Sequence, residues 1–135
     1  MQPTWTPANM SFEVDDASLP WTWAENRFDF IHIRYLIGAI QDYPALFKQA
    51  FDHTKHGGWL ESCEMDVELR CDDGTADKSP AWRTWNELFI ESGKKTGAVF
   101  TVVADDIQRK AAAAAGYTNI QMKTFKVRYL ARHRP

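Results

Sequence analysis

Long apolar runs, cysteine and charge of a single sign are all scarce in this chain, and each scarcity narrows what it can be. Nowhere do about 18 apolar residues stand in a row, so no membrane-spanning helix is expected. Residues 1–10 show no basic cluster followed by an apolar core, so no signal peptide is read and a soluble cytoplasmic or nuclear protein is expected. The formal net charge of −2 gives no field to draw the molecule onto nucleic acid or an anionic membrane. Cysteine is limited to Cys63 and Cys71, without the close paired spacing of a zinc site, and both are read as free thiols on the inner face of one strand. No internal repeat is visible.

What is present is enough apolar material for one core. With 44% apolar and 13% aromatic residues in 135, the chain is a one-domain globule by composition rather than a disordered segment.

Periodicity then gives the elements. Met10, Phe12 and Val14 alternate with polar neighbours and predict a short strand over 10–14, closed by Asp15 and Asp16. The aromatic and β-branched run over 28–36 predicts a central strand buried on both faces. Asp42 is placed to cap a helix with Pro44 in its first turn, its apolar stripe made by Leu46, Phe47, Ala50 and Phe51 and its stop by Gly57 and Gly58. A second strand is expected over 59–71, and Asp72-Asp73-Gly74 is a turn rather than a calcium loop. Ser79 and Pro80 open a helix carried by Trp82, Trp85, Leu88 and Phe89 and closed at Gly97. Asp105 caps a third helix reaching Gly116, and Ile120, Met122, Phe125 and Val127 suggest a final strand.

Strands alternating with helices predict an α/β layered fold with a mostly parallel sheet. Such sheets hold ligands beyond the carboxyl ends of their strands, which singles out Asp15, Asp16 and Ala17 after the first strand and His32, Arg34 and Tyr35 at the end of the next.

Three blocks carry a family resemblance: SFEVDDASLPWTW (11–23), RFDFIHIRYLIGAIQDYPALFKQAF (27–51) and GGWLESCEMDVELRCDDGT (57–75). Extended by ESGKKTG (91–97) and FTVVADDIQRKAAAAAG (100–116), they resemble the fungal LaeA-like class I methyltransferases of secondary metabolism. The resemblance implies a partial Rossmann-like fold over 1–127, followed by a basic tail over 128–135 that departs from the family. It implies S-adenosyl-L-methionine as cofactor and a small molecule or protein as methyl acceptor.

In residue terms the resemblance sets Asp16 before the adenine amine and the Ala17 N–H before an adenine ring nitrogen, with Asp15 beside them. It sets His32 and Arg34 at the methionine end and the acceptor opening, with His32 the candidate catalytic base. The family's opening strand with its Gly-rich turn, and the next strand with its ribose-binding acid, have no counterpart in this sequence. The first two strands are therefore expected to be missing, leaving unpaired edges open to aggregation or to association with a full-length partner. Thr54 and His56 stand where the family has Leu and Pro.

The activity expected is methyl transfer; the alternative is an inactive remnant that acts only through protein association. Two minor motifs remain. Lys123, Lys126, Arg128, Arg132 and Arg134 form a basic cluster that could meet nucleic acid or an import receptor, a partner class the overall charge disfavours. His53 and His56 have metal-ligand spacing without a third ligand.

Overall fold

The computed structural model describes residues 5–127, apart from the side chain of residue 77. Its centre is a two-stranded parallel sheet, β1 (Phe28–Arg34) beside β2 (Thr54–Cys63), joined through helix α1 (Tyr43–His53). A 3₁₀ turn (Ala76–Lys78), helix α2 (Pro80–Thr96) and helix α3 (Ile107–Ala115) follow. This small parallel sheet with flanking helices is a partial Rossmann-like α/β fold, as the sequence indicates.

Local chemistry explains α1. The Asp42 carboxylate accepts from the Ala45 N–H at 2.8 Å, and Pro44 sits in the first turn, where its missing N–H breaks no bond. The stripe Tyr43, Leu46, Phe47 and Ala50 is buried and meets Ala111, Ala112 and Ala115 of α3, with Ile33, Ile40 and Val102 completing the core. Alanines on α3 let the two helices approach closely. Phe51, the last residue of the expected stripe, is exposed.

The helix ends at His53, before the glycine pair. Thr54 Oγ1 donates to the Ala50 carbonyl at 2.6 Å, and the chain passes directly into β2. Gly57 and Gly58 serve a bulge instead: Phe28 pairs with Thr54 and Phe30 with Trp59, so residues 55–58 stand opposite Asp29 alone. Gly57 has φ 80°, and a Cβ on Gly58 would lie 2.9 Å from the Asp29 carbonyl.

Several expected elements differ from the structure, for a shared reason. Residues 10–14 and 120–127 alternate as strands do, yet they form none; Val14 is 93% and Phe125 81% exposed. A ladder needs a partner for its N–H and C=O groups, and neither segment has one among the described residues. The second strand starts at Thr54 and ends at Cys63 rather than running over 59–71. Beyond it, the Asn86 side chain of α2 takes the partner role, accepting from the Leu69 N–H at 2.9 Å and donating to the Leu69 carbonyl at 3.1 Å. Cys63 and Cys71 are free but exposed, so they do not share an inner face.

Helix boundaries are corrected in detail. α2 closes with Gly97 in the left-handed region, its N–H reaching the Gly93 carbonyl at 2.8 Å, but its inward side is Asn86, Phe89, Ile90 and Gly93 while Trp82, Trp85 and Leu88 face out. Asp106, not Asp105, precedes α3, and it makes no side-chain cap.

β1 is buried on one face only. Ile31 and Ile33 point toward α1 and α3, whereas Phe30, His32 and Arg34 lie on the far face with Trp59, Glu61 and Cys63 of β2, and no described helix covers them. No described helix is long and apolar enough to cross a membrane. Residues 128–135, and with them the tail and Arg128, Arg132 and Arg134, lie outside the described residues; within them, Lys126 pairs with Asp72.

The core makes a direct prediction. Phe47→Ala removes a ring that is 2% exposed and should destabilise the chain by about 3–5 kcal/mol in urea unfolding, whereas Phe125→Ala should change it by less than about 0.5 kcal/mol.

Candidate functional site

The acidic turn is built by its own side chains. Asp16 N–H donates to Asp15 Oδ1 at 2.8 Å, while the Ser18 hydroxyl at 2.6 Å and the Ser18 N–H at 2.9 Å both donate to Asp16 Oδ1. These bonds, the hydroxyl's first, hold the Asp16 carboxyl below its ordinary value. Asp16 is therefore a committed anion on an exposed turn, and Oδ2 is the oxygen left to meet an outside donor. Ala17 N–H has no hydrogen-bond partner among the described residues.

Tryptophan fixes where this turn sits. Trp21 Nε1 donates to the Ala17 carbonyl at 3.2 Å, the Trp21 N–H donates to Gln49 Oε1 at 2.7 Å, and the indole lies 5.3 Å from the His53 ring. His53 is buried, with Nδ1 at 2.8 Å from the Gln49 carbonyl and Nε2 at 3.0 Å from the Trp23 carbonyl, so its nitrogens face backbone oxygens and not a metal. His56, three residues on, is exposed. Arg27 N–H in turn reaches the His53 carbonyl at 2.9 Å. The turn is thus tethered beside the last part of α1 and the start of β1.

His32 and Arg34 lie in the second half of β1. The structure joins Asp15, Asp16 and Ala17 to neither His32 nor Arg34 by a hydrogen bond, ion pair or ring contact among the described residues. It does bring His32 and Arg34 onto one exposed face. His32 Nδ1 is 2.7 Å from Glu61 Oε2 on the neighbouring strand, directly opposite in register. The Arg34 guanidinium rests 5.0 Å over the ring of Tyr35, which has φ 53° and closes the strand by donating its N–H to the Cys63 carbonyl at 3.1 Å.

The loop leaving β1 is held by Glu64. Its carboxylate accepts from the Leu36 N–H at 2.9 Å and the Ile37 N–H at 3.2 Å, and the Tyr43 hydroxyl stands 3.4 Å away. Burial, and then the Glu64 charge, push the Tyr43 phenol above its ordinary range, so it stays protonated and a donor. Gly38 in the same loop has φ 77°, but a Cβ there would lie 2.5 Å from the Phe100 ring. That glycine serves packing and offers no open backbone to a ligand.

Two shallow grooves lie elsewhere. One, of about 380 Å³, is lined by Tyr43, Pro44, Val99, Ile107 and Ala111; the other, of about 330 Å³, by Val67, Asn86, Ile90 and Phe100 with a rim of carboxylates. Neither is lined by Asp15, Asp16, Ala17, His32 or Arg34. Sequence reading in turn missed Ser18, Glu61 and Glu64. The Asp-x-Ser spacing of a side-chain-closed turn could have found Ser18; the two glutamates needed the strand register.

The turn yields a pH prediction. A carboxyl depressed in the folded state stabilises the turn above the unfolded value and loses that contribution as pH falls through the folded one. Ser18→Ala should therefore move the Asp16 midpoint upward in a carbon-13 carboxyl titration, so that the turn loosens at a higher pH than in wild type; an unchanged midpoint contradicts the assignment.

Comparison with known proteins places this geometry in a family. Residues 2–122 match the family described as "Methyltransferase domain". The chain is 33% identical over 131 residues to the "Secondary metabolism regulator LAE1" of Cochliobolus heterostrophus, covering 96% of this chain and 42% of that protein. It is 34% identical over 127 residues to "Methyltransferase pytC" of Aspergillus terreus, covering 94% of this chain and 38% of the relative. With the "Protein-methionine methyltransferase laeA" of Emericella nidulans it shares 33% identity over 97 residues, 71% of this chain and 26% of the relative. The chain spans less than half the length of these relatives. No solved structure matches it. With the parallel βαβ unit, these matches show that the chain belongs to the methyltransferase-domain family, in its fungal LaeA-like branch.

Proposed function

We propose that this chain contributes to S-adenosyl-L-methionine-dependent methyl transfer in fungal secondary metabolism. The observation that carries the reading is the family match together with the chemistry of the acidic turn. An ionised Asp16 accepts from the exocyclic amine of adenine while the adjoining Ala17 N–H donates to a ring nitrogen, a pairing that distinguishes adenine from other bases.

The residues fit the cofactor in part. Asp15, Asp16 and Ala17 suit its adenine end, and the Arg34 guanidinium suits a carboxylate such as that of its methionine end. No described glycine combines a strand end, a helix start and open space, so the described residues form no glycine cradle for the cofactor's backbone-bound part. When bound, S-adenosyl-L-methionine supplies a methyl group already activated by its sulfonium charge, which leaves the protein mainly to position the acceptor. In this scheme His32 holds or takes a proton at the acceptor opening.

The acceptor is a small molecule or a protein side chain. One relative's name, protein-methionine methyltransferase, favours the protein class, and a thioether acceptor of that kind carries no proton to remove. An acceptor with an O–H or N–H is the case in which His32 matters.

A second reading has its own support. No hydrogen bond or ion pair joins the turn to His32 or Arg34, and both outer sheet edges are unpaired, among the described residues. Both facts suit a chain that acts through association with another methyltransferase chain, without binding cofactor itself.

Calorimetric titration with S-adenosyl-L-methionine separates the two. The methyl-transfer reading predicts micromolar binding, weakened roughly tenfold or more by Asp16→Ala through loss of a charged hydrogen-bond acceptor. An absence of heat, with a self-associated species on a sizing column, would instead leave the association reading standing.

A further inference from the structure

Cross-strand register places one carboxylate where the sequence gives no hint of it. His32 on β1 and Glu61 on β2 are direct partners in the parallel ladder, and His32 Nδ1 lies 2.7 Å from Glu61 Oε2. An ionised carboxylate only accepts hydrogen bonds, so Nδ1 must carry the proton. In the neutral ring the lone pair is then on Nε2. Both side chains stand on the face of the sheet that no described helix covers, 43% and 62% exposed.

Phe30, two residues before His32 on the same face, stacks beside the imidazole with centroids 6.4 Å apart. Arg34 on β1 and Cys63 on β2 are the other ionisable groups on this face near the strand ends, and they are register partners of each other. Arg34 lies over Tyr35, which leaves Glu61 the charged group bonded to His32.

We infer that Glu61 is a positioning residue: it holds His32 in the Nδ1–H tautomer so that Nε2 serves as proton acceptor for a methyl acceptor bearing an O–H or N–H. The dyad itself rests on strand register alone, and its use rests on the methyl-transfer reading. In the step implied, the acceptor heteroatom gives its proton to Nε2 and its electron pair forms the bond to the methyl carbon. The carbon–sulfur pair returns to sulfur, and the imidazolium then releases its proton to water. Glu61 touches neither acceptor nor cofactor and acts through the ring, stabilising the charged imidazolium as it forms.

The test is spectroscopic and needs no turnover. The whole chain is labelled with nitrogen-15, and two-bond proton–nitrogen correlations are recorded near pH 8, where an ordinary imidazole is neutral. His32→Asn identifies the His32 signals among the four histidines. Wild type is expected to show the Nδ1–H tautomer, Glu61→Ala to lose that bias, and Glu61→Gln to keep it because the amide oxygen still accepts. Glu61 is exposed, so overlaid amide spectra should show an intact fold in both variants. The same tautomer in wild type and Glu61→Ala overturns the inference.

Methyl transfer by the chain, measured in parallel, should show kcat falling about tenfold or more in Glu61→Ala with KM unchanged and restored in part by Glu61→Gln. A tautomer that switches while the cofactor gives no heat sinks the methyl-transfer reading and upholds the dyad. Cofactor binding with a tautomer indifferent to Glu61 does the reverse.

Discussion

Parallel pairing of β1 with β2 is the constraint around which the chain is arranged. Parallel strands cannot be joined by a tight turn, so the connection must travel the length of the sheet, and α1 is that connection. Its buried stripe against Ile33 and the α3 alanines supplies the apolar area that keeps the strands together. Everything chemically notable hangs from this unit. Glu64, one residue past β2, ties down the loop leaving β1; Trp21 ties the acidic turn to α1; the ladder register sets Glu61 opposite His32.

The same unit explains what is left open. One sheet face rests on α1 and α3, while Phe30 and Trp59 on the other face are 56% and 63% exposed. Parallel sheets are ordinarily covered on both faces, so a one-sided pair carries unpaired edges and uncovered rings together. Segments 10–14 and 120–127 belong to the same picture: their alternation suits a sheet wider than the two strands present. The chain also spans less than half the length of its relatives.

What could be read from the sequence was what local chemistry decides. The capping Asp42 with Pro44, Pro80 at the head of α2 and Gly97 at its end are signals written within a few residues, and both helices stand where those signals put them. Parallel α/β character was legible from the alternation of patterns, and the family from blocks of residues in order. Strand limits were not legible, because a strand exists only with its partner: Leu69 finds the Asn86 side chain instead of a neighbour, and Gly57-Gly58 becomes a bulge because of what lies across from it. The outward turn of Trp82 and Trp85 was hidden for the same reason, since helical spacing names a stripe but not which stripe meets the core. At the site, Asp15, Asp16, Ala17, His32 and Arg34 were visible as residue types, whereas Ser18, Glu61 and Glu64 emerged only from hydrogen bonds that the fold creates.

The central claim is that a one-sided parallel βαβ unit, closed by α3, is the stable part of this chain. Amide hydrogen exchange followed residue by residue addresses it most directly. The account predicts slow exchange in β1, α1, β2 and α3, with residues 10–14 and 120–127 exchanging at the rate of an unstructured chain. Equal, fast exchange throughout, or protection concentrated in the two outlying segments, would contradict it.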